Sequence, residues 1–207
     1  MLFIKKTRFS VGEEVIRESL FAPDGSESVR LNLRYPLITG DRREVMLRNA
    51  APYYRRVAAG LKAFAKNELQ QRSPADKNMP CSVVMVWEKT FENDSFVSFY
   101  FDVTVFDGVS VRSAERQTQV WERKFGLKCP FSYFFEHGAK NTVCELISPD
   151  NKKLFERERF VLRDSGFEFF VLSENGIEGK MLGYSLASEK NLLKNADWSL
   201  LFKNYPV

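Results

Sequence analysis

The stretch "FVSFYFDVTVFDGVSV", residues 96–111, alternates apolar and polar residues through a run of ring-bearing side chains. A two-residue period of this length belongs to a strand with one dry face. Val97, Phe99, Phe101, Val103 and Val105 are expected to point one way, and Ser98, Tyr100, Asp102 and Thr104 the other. The chain holds 19 phenylalanines in 207 residues, and each buried ring withdraws a large apolar area from water. The fold must therefore provide a sheet with an aromatic surface and something to close over it.

The neighbouring sequence supplies both. "SVVMVWEKTF" predicts a preceding strand, Asn93-Asp94 a turn, and "VRSAERQTQVWERKFG" a more polar strand returning after Asp107-Gly108. Together these form an antiparallel meander with one dry face. From about residue 52 to residue 72, Tyr54, Val57, Ala58, Leu61, Phe64, Ala65 and Leu69 fall on one helical stripe. Pro52 suits the first turn of that helix, where its missing N–H costs nothing. Upstream, two strands flank Pro23-Asp24-Gly25. Val29, Leu31, Leu33 and Tyr35 form the buried side of the second strand, and Pro36 marks its edge or end.

Downstream, "CPFSYFFEHG" predicts a short aromatic helical turn, "AKNTVCELI" a helix stopped before Pro149, and "NKKLFERER" a further helix. "RFVLRDSGFEFFVL" predicts a strand pair around Asp164-Ser165-Gly166, and "SEKNLLKNADWSLLF" a weakly helical tail. The class is α+β: an antiparallel meander sheet, one long amphipathic helix packed on one face, and short C-terminal helices. No repeat, low-complexity run or dividing linker interrupts residues 1–207, which read as a single domain.

The net charge of +4 is uneven. Residues 1–72 carry 14 Lys+Arg against 8 Asp+Glu, and the remainder 17 against 19. A solvated basic face accounts for this. No aromatic platform is interleaved with the charges of Arg55, Lys62 and Lys66, so no nucleic-acid partner is expected. No run of about 18 apolar residues occurs and the start lacks an apolar leader, so no membrane segment is expected and the chain reads as cytoplasmic. A chain shortened of its anchor would read the same way and would be extracytoplasmic. Cys81, Cys129 and Cys144 lack metal-site or framework spacing and are expected to be buried and reduced.

No phosphate-cradling glycine loop, metalloprotease helix or nucleophile elbow is present, and neither a cofactor nor a metal is implied. His137, the single histidine, sits at a helix end with no nucleophile or carboxylate positioned for catalysis. Cys129 and Cys144 lie in apolar surroundings unsuited to a reactive thiol. The candidate binding residues are Tyr100, Asp102 and Thr104 on the polar face of the meander, with Arg112 and Arg116 on the adjoining strand. Phe106 and Trp121 lie nearby, and core packing is the expected role of Trp121.

Four stretches in order resemble a known bacterial domain. "YPLITG" precedes the amphipathic "YYRRVAAGLKAFAKNEL", "QVWERKFGLKCPFSYFF" follows the meander, and "FVLRDSGFEFFVL" closes the pattern. The arrangement resembles the sensor domain of anti-sigma-V proteins and the C-terminal non-catalytic domain of peptidoglycan polysaccharide deacetylases. It spans about residues 28–185. This chain has Arg112 near a position where that family often carries histidine, and Glu122 and Tyr133 where its signature has aspartates. The resemblance implies an α+β fold and a range that includes protein recognition, since its relatives include a lysozyme-binding sensor. The expected function is non-enzymatic recognition of a protein or cell-wall-derived ligand. The alternative is a hydrolase acting on glycans through carboxylates gathered in three dimensions, such as Asp102 and Glu115.

Overall fold

The computed structural model describes residues 9–41, 43–71, 79–149, 155–173 and 176–195. Strands β1 (Phe9–Phe21) and β2 (Glu27–Gly40) form an antiparallel hairpin in which Val15 lies opposite Arg34 and Ile16 opposite Leu33. Asp24 Oδ1 accepts from the Ser26 N–H at 3.0 Å, and Gly25 adopts φ 84°, a left-handed conformation that side chains resist. Val29, Leu31, Leu33 and Tyr35 are buried, as their alternation predicts. Pro36 does not end the strand: β2 continues to Gly40 with Pro36 opposite Glu13. Its missing donor is tolerated because pairing on the other side of β2 covers Val29 to Leu33 and Pro36 lies beyond it.

That other neighbour, β3 (Cys81–Glu92), runs parallel to β2, with Val29 opposite Cys81 and Leu33 opposite Met85. Parallel neighbours need a crossover connection. Helix α1 (Val45–Phe64) and the π-helical turn that extends it (Ala65–Leu69) occupy this one. The helix begins seven residues before the expected start, so Pro52 lies inside it and removes the bond that the Arg48 carbonyl would accept. Met46, Ala50, Ala51, Tyr54, Ala58, Ala65 and Leu69 are buried, whereas Val57, Leu61 and Phe64 are half-buried. Small alanines let the helix approach the sheet closely, and Tyr54 meets Phe101 edge-on with ring centroids 6.4 Å apart.

Strands β4 (Phe96–Asp107), β5 (Ser110–Glu122) and β6 (Leu127–Lys128) complete a six-stranded sheet of order β1-β2-β3-β4-β5-β6. Asn93 organises the β3–β4 turn, its Oδ1 accepting from the N–H groups of Ser95 at 2.8 Å and Phe96 at 2.7 Å. The chain divides into two compact units. The first comprises Met1–Glu88, Phe101–Arg116 and Lys124–Gly126; the second comprises Lys89–Tyr100, Gln117–Arg123 and Leu127–Val207.

In the second unit, α2 (Phe131–Phe134) and α3 (Ala139–Ile147) precede an antiparallel sheet of β7 (Phe160–Arg163), β8 (Gly166–Ser173) and β9 (Gly176–Gly183). Helix α4 (Tyr184–Glu189) follows. Here β4 departs from simple alternation, because Phe96, Val97, Ser98 and Phe99 are all buried. The Leu162 N–H of β7 donates to Ser98 Oγ at 3.0 Å, and the Tyr100 ring meets Phe170 edge-on at 5.6 Å. This portion of the supposed polar face is thus covered by the second sheet. Phe131 and Phe135 stack at 4.3 Å, and Phe134 packs on Phe167 at 5.5 Å within the same aromatic core.

Strand β9, "GIEGKMLG", is not apparent in the sequence: glycines and charges give it weak strand preference, and the ladder to β8 holds it. That pairing is close, since a Cβ on Gly166 would lie 2.3 Å from the Leu182 carbonyl oxygen. The expected helix at "NKKLFERER" falls partly on residues 151–154, outside the described residues, and Glu156–Arg159 forms a turn. The expected tail helix is not formed through residues 190–195, and the remainder of that segment lies outside the described residues.

The observed burial separates two leucines of α1 and its extension. Leu69→Ala should lower the unfolding free energy by roughly 2–5 kcal/mol. Leu61→Ala should cost only about 1 kcal/mol because its side chain is already partly in water. Urea midpoints for the two variants measure the difference; equal losses would contradict this packing.

Candidate functional site

Within the first unit, β4 and β5 form a hairpin whose outer end is polar. Arg116 lies across from Asp102 and donates through Nε to Oδ1 and through Nη2 to Oδ2, both at 2.6 Å. The two side chains are 19% and 28% exposed, so the pair is neither dry nor fully screened. The planar guanidinium matches both carboxylate oxygens, which fixes the geometry of each side chain. Thr104 and Phe106 are half-buried, whereas every residue from Val109 to Glu115, including Arg112, is exposed. Val109 is 77% and Val111 59% exposed.

Strand β6 pairs with β5 only at Trp121 and Glu122. Among the described residues, no strand pairs with the outer edge of β5 from Ser110 to Ala114. Thus, of the five residues expected to form a binding face, Asp102 and Arg116 are joined directly. Thr104 and Arg112 lie on the same hairpin of the first unit, and Tyr100 belongs to the second unit, against Phe170. Trp121 is buried there. The exposed strand edge is a feature the sequence reading missed. Its only signal was the polar run "SVRSAER", which has no buried-face alternation.

Asp102→Asn should lower stability by about 1 kcal/mol or less, as expected for a partly solvated pair. A double-mutant cycle with Arg116→Ala should recover that small coupling from denaturation midpoints. A coupling several times larger would show that the pair is buried in solution.

The other sequence candidates have structural settings. Lys62 Nζ lies 2.6 Å from Glu18 Oε2, while Arg55 and Lys66 are exposed. Cys81, Cys129 and Cys144 are buried reduced thiols. Burial, reinforced by the charge of Glu122, pushes the Cys129 thiol up to about 12, so its nucleophilic thiolate is scarce near neutrality. His137 is exposed in the loop between α2 and α3 and lines a cavity of about 290 Å³. Among the described residues, no three His, Cys, Asp or Glu side chains gather as a metal site, and no helix is long and apolar enough to cross a membrane.

A thiol reagent should leave all three cysteines unmodified in the native protein at pH 8 and count three after denaturation without reductant. Rapid native labelling of Cys129 would overturn the burial assigned to it.

No protein-family model matches the chain, and no curated protein matches it in sequence. Solved structures do match its fold. A member of the DUF3298 family from Bacteroides fragilis NCTC 9343 superposes with a TM-score of 0.66 at 10% identity, covering 97% of this chain and 99% of that one. A DUF3298 family protein from Pseudomonas aeruginosa PAO1 gives 0.56 at 11% identity, covering 90% and 96% respectively. At these identities the likeness is one of fold.

Proposed function

We propose that the chain is a non-enzymatic, sensor-like recognition domain that binds an extended protein segment along the β4–β5 hairpin. The observation that carries this reading is the outer edge of β5 from Ser110 to Ala114, exposed at every residue and paired with no further strand among the described residues. Such an edge presents N–H and C=O groups in the spacing that another extended chain needs. Thr104 and Arg112 offer polar contacts beside it. The Asp102–Arg116 pair stiffens the base of the hairpin, and Val109 and Val111 supply apolar contact.

The motifs that resemble anti-sigma-V sensor domains support protein recognition, and the deacetylase side of that resemblance keeps a cell-wall-derived glycan as the second ligand class. Glycan hydrolysis is the weaker reading. Both oxygens of Asp102 accept from Arg116, which leaves that carboxylate serving an ion pair instead of acting as an acid or base.

Peptides selected from a random display library test the proposal. Bound peptides should slow hydrogen exchange at the amides of residues 110–116. Val111→Pro with Arg112→Ala should abolish binding while leaving the circular dichroism spectrum unchanged. Protection confined to other residues, or undiminished binding by the double variant, would remove the hairpin from consideration. Selective retention of peptidoglycan fragments with no peptide selected would move the assignment to the glycan class.

A further inference from the structure

The cavity beside His137 draws on three separate stretches of the second unit, and its lining divides sharply by chemistry. Phe131 and Phe135 lie at its floor, 3% and 1% exposed, with their rings stacked at 4.3 Å and 10°. His137, Lys140, Arg157 and Lys194 line the same space and are exposed, forming a cationic rim. Glu136 is the one acidic residue of the lining. Three permanent cations against one carboxylate leave a formal charge of +2 with the histidine neutral.

Hydrogen bonds tie these stretches together. The Glu136 N–H donates to the Leu192 carbonyl at 2.8 Å and the Lys194 N–H to the Phe134 carbonyl at 3.0 Å, which fixes the chain carrying Lys194 against the end of α2. Glu158 Oε2 accepts from the Phe131 N–H at 2.9 Å, placing the turn that holds Arg157 against the start of α2. The Ala139 N–H donates to the Glu136 carbonyl at 3.1 Å as α3 begins, one residue before Lys140. Arg157 Nε is 3.1 Å from Glu158 Oε1, but both side chains are more than half exposed, and such a pair yields readily to a competing anion.

Like charges held around one apolar floor repel one another, and a bound anion relieves that repulsion. We infer that this cavity binds a small organic anion, with negatively charged oxygens at the Lys140–Arg157–Lys194 rim and an apolar body on Phe131 and Phe135. Its volume of about 290 Å³ is at the small end of ligand sites, matching a single ring bearing one anionic group. Phosphate monoesters and carboxylates share this chemistry. The site stands apart from the strand-edge reading, since its residues all belong to the second unit.

Titrations followed by amide NMR test the inference with four probes: phenyl phosphate, benzoate, inorganic phosphate and benzyl alcohol. Phenyl phosphate or benzoate should perturb Gly138–Asn141 and Arg157 saturably and bind about tenfold more tightly than either inorganic phosphate or benzyl alcohol. The tighter of the two identifies the anionic group. Lys140→Ala with Arg157→Ala should weaken that binding at least about tenfold, as loss of contacting charges does. Both side chains are exposed, so the thermal midpoint should hold and show that the variant is folded. The inference is overturned if neither organic anion gives a saturable response at these amides. It is equally overturned if either single-property probe binds as tightly, or if the double variant binds like the parent.

Discussion

Four successive residues of β4, Phe96 to Phe99, are buried, and a strand can bury consecutive residues only when material covers both of its faces. In the second unit this requirement organises much of what surrounds the strand. Ser98 lies between aromatic and aliphatic neighbours, where an unpaired hydroxyl would cost about 1–3 kcal/mol. The Leu162 N–H meets its oxygen and thereby positions β7 against β4. The aromatic cluster of α2, β7 and β8 supplies further apolar cover: Phe96 packs against Phe134, and Phe134 in turn against Phe160 and Phe167. The abundance of phenylalanine thus serves a second core as well as the surface beneath a helix.

The first unit uses a different balance. Its core is aliphatic and small-residue-rich, with Val29, Leu31, Leu33, Ala50 and Ala58 buried around Tyr54. Some of its basic residues are paired at the surface, where Arg34 meets Glu13 at 2.8 Å and Lys62 meets Glu18 at 2.6 Å. Such pairs are solvated and contribute little to stability.

The two proposed sites differ in character. The hairpin edge offers repeated backbone hydrogen-bonding groups and suits a polymer in an extended conformation. The cavity in the second unit offers a small enclosed volume with charge at its rim and rings at its floor, which suits a compact anion.

Local preferences made part of this architecture legible. The β1–β2 turn at Asp24-Gly25, the alternation of Val29 to Tyr35 and the β7–β8 turn at Asp164-Ser165 depend on nearest neighbours, and each formed where its residues indicated. The α+β class followed from the change of apolar period between α1 and the meander. Tertiary contacts decided what local preference leaves open. Pro52 sits inside α1 because burial of Met46 and Ala50 extends the helix back beyond the start that proline suggests. Strand β9 exists because β8 offers it a full ladder despite its glycines. Asp102 and Arg116 were legible as neighbours because one hairpin joins them. The cavity was not, since its lining comes from stretches distant in sequence, held together by the Glu158 carboxylate at Phe131 and by backbone bonds at Phe134 and Glu136. Sequence by itself determines periodicity and turns because those are energies of adjacent residues; bringing remote charges around one aromatic floor is settled by packing across the whole chain.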